Sequence, residues 1–286
     1  MAQKFGGDWT QQKLDILDSY LAAYCQIFRT NERAKFFKTV YVDAFAGSGV
    51  IKTKADQDQE SSTVGLLAGS AALAIRHSFD KYLFIEKSAD RVAELEKLKA
   101  NSEAKDRIFI RHGNANPELM EFIQSTDWKT HRAVVFLDPY GMQVEWHTIK
   151  ALGGTNAIDL WFLFPLGQAV MRLLLRGAEP PPEWRSRLDA IFGTPSWKEE
   201  FYITSVQGDF FIGDVSSTQR HADWRAVKEF LVKRLKTAFY EVHSKPAVLR
   251  NSKNVPIYVF CFAASNPVGA KTALKIANHL LKPFDN

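Results

Sequence analysis

An α/β fold on a Rossmann-like, doubly wound and mostly parallel sheet, carrying a helical insertion or lid, is predicted by three observations. Helical and strand patterns alternate along the chain, the signature of a parallel sheet with crossover helices. The strand segments are short apolar runs, as buried strands are. The first of them ends in Tyr41-Val-Asp-Ala-Phe-Ala-Gly-Ser-Gly49, where an acid, an aromatic and two glycines one residue apart make a tight strand-end turn that lets backbone approach a ligand.

Taken in order, Leu14, Leu17, Leu21, Tyr24 and Phe28 recur at helical spacing and place an amphipathic helix ahead of that strand. Apolar runs at 39–44, 82–85, 108–110, 133–137 and 158–164 predict five strands. Residues 70–78, 89–100, 117–124 and 145–152 are helical by composition and periodicity and predict the crossovers between them. Beyond Pro165 the pattern is irregular, and 167–218, with three successive prolines at 180–182, reads as an insertion or lid of loops and short helices within one domain spanning 1–286. A long basic helix over about 222–243, a strand over 255–264 and a last helix over 267–281 return the chain to the sheet.

Composition excludes several classes. With 286 residues, 46% of them hydrophobic, the chain can bury a full core. No apolar run approaches the ~20 residues that span a bilayer, and the opening residues lack a signal-peptide pattern, so a cytosolic protein is expected. The two cysteines, Cys25 and Cys261, lie far apart in apolar contexts, and the seven histidines lack ligand spacing, so no zinc or iron–sulfur site is expected. The net charge of +5 is uneven: from Ser217 onward twelve cations face four anions. Such a basic third suits nucleic acid or an acidic protein, or is simply a solvated helix face.

Four strand ends carry the chemistry. In the first turn (Asp43, Phe45, Gly47, Gly49) the carboxylate suits an amino group or a ribose and repels a pyrophosphate. The sixth position of a G-x-G-x-x-G pattern is Lys52, and no Gly-Lys-Ser/Thr follows, which disfavours NAD and a P-loop and leaves S-adenosylmethionine (SAM) as the expected cofactor. A plain turn with packing glycines is the alternative. Glu86 closes the second strand, where an acid accepts ribose hydroxyls; otherwise it is a surface acid ahead of the cap Ser88. After the third strand, Asn114 and the N–H of Ala115 can meet an adenine edge, with Asn116 expected to cap the helix at Pro117. The fourth strand ends Asp138-Pro139-Tyr140-Gly141, a rigid floor for a flat acceptor. There Asp138 accepts a hydrogen bond or proton, and Tyr140 stacks on a ring or on the sulfonium. Glu145 and His147 are auxiliary bases or the start of a helix.

In order and spacing these four strand ends resemble class I SAM-dependent methyltransferases. More narrowly, Trp9, Lys13 and Tyr20, the D-x-F-A-G-S-G turn, Gly69-Ser70, the F-I-E strand end, F-L-D-P-Y-G, and Tyr258-Val-Phe-Cys-Phe-Ala followed by Asn266-Pro-Val-Gly269 resemble the bacterial three-Cys-motif partner proteins (TcmP). The resemblance covers nearly the whole chain. It implies a methyltransferase fold and a companion protein of the three-Cys-motif, Gp37/Gp68-like type. Amino-methyltransferases carry D/N-P-P-Y/F where this chain has Asp138-Pro139-Tyr140-Gly141, so the acceptor atom stays open. Two functions are therefore expected: methylation of nucleic acid or of a nucleic-acid-associated protein, or a non-catalytic binding or regulatory role beside the three-Cys-motif partner.

Overall fold

The computed structural model describes residues 8–48, 50–51, 67–209 and 213–284. Helix α1 (Asp8–Thr30) leads into β1 (Lys38–Asp43), then a small ladder of β2 (Val50–Ile51) with β3 (Leu67–Ala68), and α2 (Ser70–Ala74). Next come β4 (Lys81–Glu86), α3 (Ala89–Ala100), β5 (Ile108–His112), α4 (Ala115–Ser125), β6 (His131–Leu137), α5 (Trp146–Gly154) and β7 (Ile158–Phe164). A π-helical turn (Leu166–Met171), α6 (Pro182–Phe192), α7 (Trp197–Phe201) and the strands β8 (Tyr202–Asp209) and β9 (Gly213–Arg220) follow. The chain then forms α8 (Trp224–Lys236), β10 (Glu241–Val242), β11 (Ala247–Arg250), β12 (Pro256–Ala264) and α9 (Ala270–Leu281).

The main sheet runs β5-β4-β1-β6-β7-β12, with β10 and β11 both on the far edge of β12. Its first five strands are mutually parallel and, numbered by their appearance, stand in the order 3-2-1-4-5, the doubly wound arrangement. Strand β12 joins antiparallel to β7, pairing Phe260 with Leu163. The order reverses between β1 and β6, and that switch point opens a crevice at the carboxyl ends of the strands.

Alternating side chains build a core on each face. Tyr41, Tyr82, Phe84, Val134, Phe136, Trp161 and Phe260 pack beneath α1, α2, α3 and α9. Val40, Val42, Val135, Leu160, Phe162 and Val259 pack beneath α4, α5, α8 and residues between Leu166 and Tyr202. Covering both faces explains why the strands are near-continuous apolar runs. Helix α1 lies on the first of these faces, with Leu14, Leu17 and Leu21 facing the sheet. Among the described residues no helix is long and apolar enough to cross a membrane.

Three expectations are corrected. The basic helix ends at Lys236, where Thr237 Oγ1 donates to the Arg234 carbonyl at 2.7 Å, and the next residues turn so that Glu241–Val242 join β12. Residues 202–209, within a stretch read as loops and short helices, instead form β8 of an antiparallel ladder with β9, consistent with the β-branched Ile203 and Thr204, while 210–212 lie outside the described residues. Strand β11 was unforeseen because only four residues, Ala247 to Arg250, alternate inward and outward.

Candidate functional site

Parallel strands point their carboxyl ends the same way, so Asp43, Glu86, the turn after β5 and Asp138 gather on one rim. The first turn is tied to its neighbours on both sides. Ala44 N–H donates to the Phe136 carbonyl (3.2 Å) and Ala46 N–H to the Ile85 carbonyl (3.1 Å). Gly47 N–H then donates to Glu86 Oε2 at 3.0 Å, joining two of the expected site residues directly. Gly47 has φ +62°, the left-handed region that glycine adopts freely, and among the described residues nothing lies within 4 Å of the place a Cβ would take. Gly49, the second glycine of the motif, lies outside the described residues.

Asp43 is completely buried. Its Oδ1 accepts the Phe45 N–H at 3.1 Å and Ser70 gives a side-chain hydrogen bond, while Oδ2 has no partner among the described residues. Burial pushes its carboxyl up to about 7, against the lowering effect of those hydrogen bonds; Asp138 raises it further and Lys13 lowers it. Glu86 is also buried, and its Oε1 accepts the Ser88 N–H at 2.8 Å. With Oε2 on Gly47, each oxygen keeps a free lone pair for a hydroxyl.

The turn after β5 differs from expectation. Asn114, not Asn116, caps α4, its side-chain oxygen accepting the Asn116 N–H at 3.1 Å. Asn116 is buried: its Nδ2 donates to the Gln143 carbonyl at 2.8 Å, and its Oδ1 accepts the Glu145 N–H at 3.1 Å and the Thr148 hydroxyl at 3.0 Å. Pro117 thus sits inside the first turn, where its missing N–H has no helical acceptor in any case. Among the described residues no partner is seen for the Asn114 amide NH2 or the Ala115 N–H at this corner.

Asp138 forms an ion pair with Lys13, a buried ammonium reaching over from α1. Lys13 also lies 5.3 Å from the Trp9 ring centre, and Trp9 packs against Tyr258 at 5.0 Å. Burial raises the Tyr258 phenol, with Asp138 and Tyr140 adding to the effect. The Tyr140 ring is 95% exposed, and its backbone N–H is held by Gln143 Oε1 at 3.0 Å. Glu145 precedes α5 and pairs with His147 at 3.2 Å, an exposed contact that keeps both off the rim's ion pair.

Lys13, Trp9 and Tyr258 therefore complete the rim, although residue chemistry alone did not single them out. The available signal was spacing: Trp9 and Lys13 are four apart and share a helix face. Among the described residues no group of acids, histidines and cysteines could hold a metal ion.

The fold is a Rossmann-like, doubly wound α/β type, and its strand order is what establishes it. The sequence matches no family model and no curated protein. Among solved structures, the chain is similar to a DUF519 protein of Legionella pneumophila at 12% identity and TM-score 0.47, covering 98% of this chain and 94% of that one. It is similar to the glycopeptide N-methyltransferase MtfA, crystallised with sinefungin, at 13% identity and TM-score 0.35 over 85% of each chain. The CcbJ methyltransferase of Streptomyces caelestis matches at 11% identity and TM-score 0.36, covering 86% and 95%.

Proposed function

We propose that the protein is a SAM-dependent methyltransferase whose acceptor is nucleic acid or a nucleic-acid-associated protein. The observation that carries this reading is Asp43: a wholly buried carboxylate with one unpartnered oxygen, at the switch point of a doubly wound sheet, one strand away from Asp138. A buried acceptor without a donor costs about 1–3 kcal/mol, and a ligand amino group would remove that cost. SAM supplies a methyl group already activated on a sulfonium.

Within this reading Asp43 takes the amino group of SAM, Glu86 its ribose hydroxyls, and Asn114 with the Ala115 N–H its adenine edge. Phe45 and Gly47 form the turn beneath it. Asp138 accepts a hydrogen bond from the acceptor and orients it, Pro139 holds that backbone rigid, and Lys13 positions the Asp138 carboxylate. Trp9, Tyr140 and Tyr258 supply ring faces for a flat acceptor. The nucleic-acid part is supported by the cations around Trp224: Arg225, Lys228 and Arg250 stand 4.5, 5.8 and 5.2 Å from its ring centre.

Titration calorimetry with SAM and S-adenosylhomocysteine, followed by labelled-methyl transfer onto cellular DNA, RNA and protein, tests the proposal. Asp138→Ala is expected to abolish transfer while SAM affinity stays within about threefold, as for a residue that acts on the acceptor. Absence of SAM binding by the wild type overturns the enzyme reading. A second reading, a non-catalytic module, is favoured by the Lys13 ammonium that already occupies Asp138. SAM binding without transfer to any fraction selects it. The motif resemblance adds a three-Cys-motif, Gp37/Gp68-like companion to either reading, and co-purification after co-expression tests that association.

A further inference from the structure

A second concave surface lies at the opposite, amino-terminal end of the sheet. One hollow of about 630 Å³ is bounded by the last turns of α1, residues 35–39 and the segment before β4. A smaller one of about 260 Å³ continues from it across the starts of β4 and β5. The two share Lys38, Thr39 and Asp80, the first lying on the α1 face of the sheet and the second on the opposite face, so they meet across its amino-terminal edge as one trough that wraps that edge.

Its lining repeats a pattern. In the first hollow Arg29, Lys35 and Arg76 accompany Phe36, whose ring is 77% exposed. Lys38 stands at the junction, and in the second hollow Lys81 and Arg107 accompany Phe109, also exposed. Lys81 lies 4.5 Å from the Phe109 ring centre and Lys35 5.8 Å from that of Phe36. Among the described residues Lys38, Arg76, Lys81 and Arg107 form no salt bridge, whereas Lys35 pairs with Glu32. Two exposed acids, Asp80 and Asp106, line the trough, and Asp80 accepts hydrogen bonds from the Thr39 N–H (2.7 Å) and hydroxyl (2.9 Å). His77 is engaged by Asp18 at 2.7 Å.

We propose that this trough binds single-stranded nucleic acid. An exposed ring flanked by cations, occurring once on each side of the edge where the two hollows meet, matches a flexible ligand in which bases and phosphates alternate and which passes round that edge; a lone phosphate or a mononucleotide would use one such unit. An acidic peptide would satisfy the cations and leave both rings in water. Strand β1 spans six residues between this trough and the rim, so the two surfaces lie about 20 Å apart. The trough therefore anchors a neighbouring segment of the acceptor and not the methylated unit. The inference extends the nucleic-acid reading of the rim, yet requires neither SAM nor methyl transfer.

Fluorescence anisotropy with a labelled oligothymidylate, on the full chain without SAM, tests it. Lys38→Glu with Arg76→Glu is expected to weaken binding about tenfold or more and to flatten the salt dependence, because fewer counterions are released. Phe36→Ala is expected to weaken binding with the salt dependence unchanged. All three positions are exposed, and circular dichroism with SAM titration verifies that the variants fold. The inference is overturned if the wild type does not bind the oligonucleotide. It is equally overturned if the trough variants bind as wild type while Arg225→Glu with Arg250→Glu does not, or if polyglutamate displaces the oligonucleotide as well as unlabelled oligothymidylate does. Retained trough binding without methyl transfer to nucleic acid would instead reject only the acceptor assigned to the rim.

Discussion

At the scale of single residues, the pair Lys13–Asp138 decides how the rim is organised. Asp138 is about a quarter exposed and Lys13 less than a tenth, so the pair sits where water screens it incompletely. Removing one member of a buried pair costs several kcal/mol because the other charge is stranded. Partial exposure of Asp138 brings the expected loss for Lys13→Met to about 2 kcal/mol. That variant should also lose methyl transfer more than SAM affinity, because Lys13 acts through Asp138. Urea denaturation, calorimetry and transfer kinetics on the same preparation check the three effects, and Lys13→Arg should restore much of the transfer by keeping the charge. A Lys13→Met protein with wild-type transfer would remove Lys13 from the site. The sequence shows Trp9, Lys13 and Tyr258 as residues, but it cannot show that the first turn of α1 arrives over the end of β6, because that is a contact 125 positions apart in the chain.

Among the elements, α4 shows what local rules reach and where they stop. Asn-Ala-Asn-Pro offers two possible caps, and a Pro-at-first-position rule selects Asn116. The structure selects Asn114, because Asn116 is committed to three groups of the 143–148 segment in a buried setting. Asn114→Ala is therefore expected to cost about 1 kcal/mol, an ordinary cap. Asn116→Ala strands a buried carbonyl, an N–H and a hydroxyl and should cost about 2–4 kcal/mol. Urea midpoints of the two variants rank them; the reverse order would mean that Asn116 is the cap after all. The same division holds for the rest of the chain. Long periodic segments such as α1 and the five apolar strands are legible because burial on both faces imprints continuous hydrophobicity. The end of α8 and the edge strands β10 and β11 are not, since their pairing with β12 is set by tertiary position over two to four residues. The four strand-end motifs were legible because each follows a buried run directly, whereas the trough at the other end is assembled from residues scattered between Ala22 and His131.

At the scale of the whole molecule, two carboxylates withdrawn from water, Asp43 wholly and Asp159 in part, shape how stability varies with pH. Asp43 ends β1 and Asp159 lies near the start of β7, where Tyr20 donates to it at 2.7 Å. Burial lifts each carboxyl to about 7 from an ordinary value of 3.8, against the lowering effect of its hydrogen bonds. The native protein keeps these protons between about pH 4 and 7, while the unfolded chain has already released them. The native state then binds more protons, so stability falls as pH rises through that window and levels off above about 7. Each fully shifted group contributes a slope of about 1.4 kcal/mol per pH unit at its steepest. Asp127 and Asp223, whose carboxyls are lowered, act in the opposite sense and at lower pH, so they leave this window to the raised pair. Asp43→Asn, which cannot release a proton, should remove one share of the fall, and Asp159→Asn the other. Thermal or urea unfolding from pH 4 to 7 at constant ionic strength reads both. Curves for Asp43→Asn parallel to wild type would mean that Asp43 is already ionised in the fold. An ionised Asp43 would still meet a ligand ammonium through Oδ2, so that outcome would remove the pH slope and leave the amino-group role standing.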